Sequence, residues 1–201
     1  MKVSRRATLV ATAWAALSVG FAQNKNLSTW ITLFDGRSLA GWIPEQSAQW
    51  RVVQGAIVSE AGGDGWLRSE RRFQDFILRL QYRNSPKGNS GVFLRASQKS
   101  NNSDPANPAT RYELQISNEN RDWPTGSIEN FIPRLAPVSP APNQWHSYEV
   151  KVQGDRITAT LDGTKVLEGR ASKWTEGFIG LQHHQGNKIE FRNIEIQELP
   201  R

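Results

Sequence analysis

Short segments in which apolar and polar residues alternate recur along this chain, and this pattern restricts what it can fold into. The alternation is clear in HSYEVKVQ, RITATL and YELQIS, at 146–153, 156–161 and 112–117. A period of two places successive side chains on opposite faces of a strand, whereas a helix would need a period near 3.6. Turn residues separate the segments, and the pair Asp162-Gly163 is a strong hairpin signal. The pattern predicts a β-sandwich of many short antiparallel strands.

The predicted strands follow from the alternating segments and the Gly, Asn, Asp and Pro residues between them. They lie near 30–34, 50–53, 56–59, 65–69, 73–83, 91–96, 111–117, 126–131, 146–153, 156–162, 165–168, 177–183 and 188–197. Two polar, proline-containing segments, 98–110 and 132–144, are predicted to be loops.

The first 22 residues have the layout of a secretory signal peptide. Lys2, Arg5 and Arg6 precede an apolar run that is short for a membrane span, and Gly20 and Ala22 are small enough for a cleavage site. We therefore expect an exported protein, periplasmic or secreted, with residues 23–201 forming a single β-sandwich domain. A membrane anchor is the competing interpretation, and the choice between Sec and Tat export stays open.

Composition narrows the possible partners and cofactors. The chain contains no cysteine, which excludes disulfides and thiolate metal sites. Removing residues 1–22 takes away three positive charges and no acidic residue, so the formal net charge falls from +6 to +3. No basic cluster typical of a nucleic-acid interface remains. We expect no nucleic-acid partner and no membrane span after signal removal, and the sequence does not indicate an oligomeric state.

Alternation also assigns side chains to faces of the predicted sheet. In YELQIS the apolar residues point to the core, so Glu113 and Gln115 face the other way. In GVFLRA the same rule places Phe93 and Arg95 opposite the core. A polar row of this kind is either an ordinary solvated face or a surface that binds a polar ligand such as a sugar, whose hydroxyls need donors and acceptors.

The segment GFIGLQHH adds a third row, because Gln182 and His184 share the outward face while His183 shares the core face. Trp123 in the loop RDWPTGS and Phe93 could supply the aromatic rings that pack on sugar C–H groups.

In the last strand Phe191 and Ile194 are three residues apart and both should be buried. We therefore expect a β-bulge near 192–193, which would let Arg192 reach the face of His184.

Eight segments together resemble one known family. They are TLFDGRSLAGW (32–42), WRVVQGAIVSE (50–60), FQDFILRLQYR (73–83), GNSGVFLR (88–95), YELQI (112–116), PTGSI (124–128), NQWHSYEVKVQG (143–154) and GLQHHQGNKIEFRNIEI (180–196). Their order over residues 30–198 resembles the 3-keto-disaccharide hydrolase domain family, formerly a domain of unknown function. The resemblance implies a concanavalin A-like jelly-roll of two antiparallel sheets, export, and action on 3-keto sugars by hydrolysis or elimination.

One local departure from the family concerns the two adjacent histidines. Family members often have a single His-Gly pair after Leu-Gln, whereas this chain has His183-His184-Gln185-Gly186, one residue longer. His184 is the better match to the family histidine, because it stands two residues after Gln182.

A C3 ketone makes the C2 proton acidic, so a base can remove it and the enolate can expel the C1 substituent. Water addition then completes a net hydrolysis. This route needs a base and a donor for the enolate oxygen. Our candidates for catalysis are Glu113 or His184 as the base and Arg95, or else Arg192, as the enolate stabiliser. The predicted substrate-binding residues are Asn89, Phe93, Gln115, Trp123, Gln182 and Arg192.

Several alternatives remain open at the level of sequence. A paired-carboxylate glycosidase would use Glu113 with Glu129 or Glu190. A divalent cation held by Glu113 and His184 is compatible with the residues, although the sequence does not require a cofactor. The competing functions are a noncatalytic carbohydrate-binding module and a structural or interaction domain at the cell surface.

Overall fold

Eleven antiparallel strands form a curled sheet in this computed structural model, which describes residues 29–97 and 111–200. The strands are β1 Ile31–Thr32, β2 Trp42–Val53, β3 Ala56–Phe73, β4 Phe76–Asn84, β5 Asn89–Ala96, β6 Tyr112–Ser117, β7 His146–Gln153, β8 Arg156–Leu161, β9 Thr164–Arg170, β10 Gly177–His183 and β11 Ile189–Glu198. The described residues contain no helix. The predicted signal peptide, 1–22, and the whole predicted loop 98–110 lie outside the described residues.

The sheet order is β6-β5-β10-β3-β11-β4-β7-β8-β9, and β3 is the strand that joins its two halves. Residues 57–59 of β3 pair with β11, and residues 65–73 pair with β10. We call the half containing β6, β5, β10 and residues 65–73 the front layer. The half containing residues 56–59, β11, β4, β7, β8 and β9 is the back layer.

An apolar core fills the space between the two layers. Leu94, Leu114 and Leu181 of the front layer and Val150 and Phe191 of the back layer are all almost fully buried. The Tyr148 hydroxyl of β7 also donates a hydrogen bond across the sandwich to the Gln115 carbonyl, at 3.0 Å. The structure therefore confirms the all-β sandwich of antiparallel layers.

The strand boundaries differ from the prediction where long strands bend or break. The predicted strands 56–59 and 65–69 are parts of one strand, because the glycine-rich segment between them stays paired with β2. The predicted strand 73–83 is instead interrupted at Gln74-Asp75, between β3 and β4.

The bulge predicted near 192–193 is confirmed. Arg192 pairs with Gln81 and Glu195 with Arg79, so β11 carries one extra residue at this point. Asn193 has a positive φ of 52°, which fits that irregularity. Phe191 and Ile194 are both fully buried as a result.

No helix within the described ranges is long and apolar enough to cross a membrane.

Candidate functional site

The outer face of the front layer carries most of the predicted site residues. Strand register brings Phe93 opposite Glu113, Gly180 opposite Phe93, and Gln182 opposite Trp66. Because alternate residues share a face, this outer face is formed by Trp66, Arg68, Asn89, Gly91, Phe93, Glu113, Gln115, Phe178, Gly180 and Gln182.

Trp66 and Phe93 form an aromatic floor on this face. Their ring centroids are 5.4 Å apart, and both side chains are buried together with Ala96 and Phe178. The rings lie directly over Gly180, where a side chain would collide with both of them. The absence of a side chain at Gly180 is thus what allows the aromatic floor to form.

Glu113 stands beside this floor and is 2% exposed. Arg111 donates to its Oε2 from Nε at 3.2 Å and from Nη2 at 2.8 Å. The other carboxyl oxygen, Oε1, lies over Gly91, only 2.5 Å from where a Cβ on that residue would stand. The Arg111 guanidinium also lies 4.0 Å from the centroid of the Phe93 ring, so Arg111 contacts the carboxylate and the floor together.

Glu129 approaches Glu113 from the other side of β6. Residues 125–129 run antiparallel to β6, with hydrogen bonds from Gln115 N to Ser127 O and from Glu129 N to Glu113 O, both 3.0 Å. The predicted strand at 126–131 is therefore a paired but irregular segment. Leu114 and Ile128 pair and point into the core, so the Glu113 and Glu129 side chains share the outer face.

The surroundings of Glu113 favour its neutral form. Burial raises the pKa of Glu113 to about 7, the positive charge of Arg111 opposes that rise, and the Glu129 carboxyl, which hydrogen-bonds Glu113, adds to it. A carboxyl that gains and loses a proton near pH 7 is suited to proton transfer at neutral pH. Sequence reasoning missed Arg111 and Trp66 as site residues, although Arg111 has the same parity as Glu113.

The placement of Arg95 beside Glu113 is wrong. Between Phe93 and Ala96, β5 has one residue more than β10, and Arg95 has a positive φ of 52°. This bulge removes Arg95 from the alternation. Its guanidinium is buried among the carbonyl oxygens of Gln74, Gly154 and Trp174, and it pairs with Asp75 Oδ1 at 2.8 Å. These contacts use Arg95 to tie loops together at one end of the sandwich.

His184 and Glu113 do not meet either. Gly180 is in register with Phe93, which pairs with Glu113, and His184 follows four residues later. At about 3.3 Å per residue, this places His184 about 13 Å further along the strand direction. Its side chain is 48% exposed, with Nδ1 3.9 Å from Asp64 Oδ1. The three catalytic candidates named from the sequence, Arg95, Glu113 and His184, therefore do not lie together in one pocket.

His183 lies on the core side, as the alternation predicted. It is 1% exposed and packs edge-on against Trp50, with ring centroids 6.3 Å apart. Neither ring nitrogen has a hydrogen-bond partner in the part of the chain that the structure describes. Burial lowers the pKa of His183, so the imidazole is held in its neutral form.

Arg192 does not reach the face of His184. Its Nε donates to Gln81 Oε1 at 2.8 Å, and its guanidinium lies 4.0 Å from the Trp145 ring centroid, on the outer side of the back layer. Glu190 is also engaged there, in a bidentate pair with Arg83, and so is not a partner for Glu113. The bulge at Asn193 was predicted correctly, but it does not redirect Arg192 to the front layer.

Three of the predicted polar ligand-binding residues, Asn89, Gln115 and Gln182, lie on the outer face. Asn89 Oδ1 and Gln182 Oε1 are buried and have no hydrogen-bond partner among the described residues. Gln115 Oε1 accepts from Ile116 N at 3.1 Å. Trp123 is half-buried in the loop after β6, where its backbone N–H donates to Asn120 Oδ1. Within residues 29–97 and 111–200, no three or more His, Asp or Glu side chains are grouped to hold a metal ion.

Solved structures confirm the type of fold. A candidate glycosyl hydrolase from Parabacteroides distasonis superposes with a TM-score of 0.75 at 20% identity, covering 85% of this chain and 94% of that one. A carbohydrate-binding module from Bacillus subtilis superposes with a TM-score of 0.60 at 16% identity, covering 79% of this chain and 96% of that one. These likenesses confirm the jelly-roll type of sandwich predicted above.

Sequence comparison extends the likeness beyond the fold. A Bacteroides thetaiotaomicron protein named 3-keto-disaccharide hydrolase is 23% identical in an alignment 231 residues long, which covers 85% of this chain and 78% of the relative. The model of a family described as the 3-keto-alpha-glucoside-1,2-lyase-like domain matches residues 29–197. This match spans all the strands of the sandwich from β1 to β10 and almost all of β11. The chain therefore belongs to the 3-keto-alpha-glucoside-1,2-lyase-like domain family.

Proposed function

We propose that this protein is a carbohydrate-active enzyme that cleaves glycosides whose sugar carries a ketone at C3. Family membership and the name of the Bacteroides thetaiotaomicron relative support this substrate class. The observation that carries the proposal is the Glu113 carboxyl, buried on the outer face, held by Arg111 and set beside the aromatic floor of Trp66 and Phe93.

In the proposed reaction Glu113 is the base. It removes the C2 proton, whose acidity comes from the neighbouring ketone, and the electron pair enters the enolate. The enolate then forms the C1–C2 double bond and expels the C1 oxygen, which leaves as an alcohol after taking a proton from water. Because the pKa of Glu113 is about 7, a large fraction of the side chain is carboxylate at neutral pH while the base remains strong. Water addition to the product double bond gives net hydrolysis.

We assign the stabilisation of the enolate to Arg111 in place of Arg95. The positive charge of Arg111 lies against both Glu113 and Phe93, and negative charge must develop close to the base. Asn89, Gln115 and Gln182 are proposed to bind sugar hydroxyls, with Trp123 at the margin. His184, predicted as a catalytic residue, is proposed to bind substrate instead, since about 13 Å along the strand separates it from Glu113.

A paired-carboxylate glycosidase fits this geometry poorly. Such enzymes keep their carboxyl groups about 5–5.5 Å apart for retention, or about 6.5–9.5 Å apart for inversion, so that sugar or water fits between them. Glu113 and Glu129 instead stand directly opposite each other across an antiparallel pair, with Glu129 N donating to Glu113 O, which brings their carboxyl groups together and leaves no such gap. Elimination needs no gap between two carboxyl groups and is therefore the better match.

A noncatalytic carbohydrate-binding module is the second candidate. The two buried amide oxygens without partners, Asn89 Oδ1 and Gln182 Oε1, favour a face that accepts hydrogen bonds from hydroxyl groups. A binding module would use these acceptors without needing a proton-transfer group. The two functions differ in whether the C1–O bond breaks.

The test is to incubate the protein with 3-keto-trehalose and 3-keto-glucosides, and with the parent glycosides, while sugar release is followed by NMR. Parallel samples contain a chelator, because removing the metal would stop turnover if the site depended on one. We expect turnover of the keto sugars alone, and its loss in Glu113→Gln but not in Glu149→Gln, an exposed carboxylate paired with Arg79. Binding without turnover would establish the binding module.

We also propose that the protein is exported, on the pattern of residues 1–22. Cell fractionation of the full-length protein, with N-terminal sequencing of the product, tests this. Cytoplasmic protein that still carries residues 1–22 would contradict it.

A further inference from the structure

Glu113 and Glu129 are directly opposite each other across an antiparallel pair, with Glu129 N donating to Glu113 O at 3.0 Å. Directly opposed residues have Cβ atoms about 4.5–5.5 Å apart, so their carboxyl groups meet. Two like charges at that distance are destabilising, and the effect is largest where water is excluded. Glu113 is almost fully buried, whereas Glu129 is half-buried at the outer edge.

The charged neighbours of this pair are few. Strand β5, which pairs with β6, contributes Gly91 and Phe93, and β10 on the far side of β5 contributes Gly180 and Gln182, all uncharged. Within the described residues, the charged or titratable side chains acting on Glu113 are Arg111 and Glu129. With one proton on the two carboxyl groups and a charged Arg111, the cluster carries no net charge. Neutrality is the most favourable condition for a buried group of this kind.

We propose that Glu129 is a positioning residue that acts through Glu113, the two carboxyl groups sharing a single proton so that Glu129 sets the protonation state in which Glu113 works. The inference rests on the proposed function, in which Glu113 is the base. Arg111 holds Oε2 of Glu113, so the shared proton and the substrate are both left to the region of Oε1.

This arrangement has a definite consequence for catalysis. The working base is the pair without a proton, in which the negative charge of Glu129 makes Glu113 a stronger base. The proton taken from C2 then becomes the single proton that the two carboxyl groups share, so the cluster never has to hold two. Replacing Glu129 by glutamine keeps a hydrogen-bonding side chain and removes the titratable group. Glu113 should then ionise at lower pH and become a weaker base.

The experiment is a carbon-13 NMR titration of Glu113, run beside pH profiles of kcat/KM, for the wild type, Glu129→Gln and Glu119→Gln. Glu119 is the matched control, since it is an exposed carboxylate in the loop after β6. In Glu129→Gln we expect the Glu113 midpoint and the acid limb of the profile to move down by about one pH unit. The kcat/KM plateau should fall about 3- to 10-fold, and the control should match the wild type.

An unchanged Glu113 midpoint in a folded Glu129→Gln protein would overturn the inference. A plateau that falls without movement of the acid limb would also overturn it, because that result indicates a merely structural role. The titration needs no substrate. A shifted midpoint in a protein that turns over no keto sugar would therefore refute the proposed function and leave the shared proton established.

Discussion

Arg111 donates two hydrogen bonds to a single oxygen of Glu113 while its guanidinium lies against the Phe93 ring. The planar guanidinium group of arginine can make both contacts at once, whereas the compact ammonium group of lysine cannot. We therefore expect Arg111→Lys to lower kcat/KM by at least about tenfold and the free energy of unfolding by about 2 kcal/mol. Urea denaturation and initial rates on a 3-keto-glucoside measure the two effects. Arg51→Lys, in an exposed pair with Glu60, is the control. Wild-type kcat/KM in Arg111→Lys would contradict this role.

Two glycines under the site should respond differently to a methyl group. In Gly91→Ala the new Cβ would stand 2.5 Å from Glu113 Oε1, so the carboxyl group must move. In Gly180→Ala the Cβ would instead push against Trp66 and Phe93. We expect Gly91→Ala to lower kcat about tenfold or more, and Gly180→Ala to act mainly on KM. Each should cost about 1–3 kcal/mol of stability. We compare the variants by steady-state kinetics, after circular dichroism has shown that they are folded. An unchanged kcat in Gly91→Ala would count against Glu113 as the base.

Arg95 should matter for folding rather than for chemistry. Its pair with Asp75 is buried, and removing one partner of such a pair typically costs about 3–5 kcal/mol. The pair of Arg79 with Glu149 has the same chemistry but is about half exposed, so Arg79→Ala should cost less than about 1 kcal/mol. We expect Arg95→Ala to be strongly destabilised, with near-normal kcat per folded molecule. A stable Arg95→Ala protein without activity would restore Arg95 to the site.

His183 should make the fold sensitive to acid. Because burial lowers the folded-state pKa of His183 below its ordinary value of 6.5, the stability it contributes is present above pH 6.5. That stability is lost as the pH falls below 6.5 toward the folded-state pKa, because the unfolded chain binds a proton more readily. We expect His183→Leu to flatten this part of the stability profile, measured by urea denaturation between pH 7 and 5. An identical slope in His183→Leu would show that another group is responsible.

The fold and half of the site were predictable from alternation alone. Glu113, Gln115, Phe93 and Gln182 share the outer face because their strands are regular over those positions. Arg95 was misplaced because one extra residue in β5 turns its side chain out of the alternation, and nothing in GVFLRA marks that bulge.

Other site residues depend on contacts between segments distant in sequence. Glu129 reaches Glu113 because residues 125–129 pair with β6 without forming a regular strand. Trp66 joins the floor because β3 passes from one layer to the other beside β10. A sequence signal existed in Gly91 and Gly180, two residues without side chains in otherwise well-filled strands, since such positions often mark a close approach.

The central claim is that Glu113 removes the proton at C2 of a 3-keto sugar. Its most direct test is proton NMR of 3-keto-1,5-anhydroglucitol in D₂O, a keto sugar that has no exocyclic leaving group at C1. The wild-type protein should exchange the C2 proton for deuterium while the C4 proton, also next to the ketone, stays and serves as an internal reference. Glu113→Gln should exchange the C2 proton at least about 100-fold more slowly. Exchange at the wild-type rate in Glu113→Gln would contradict the account.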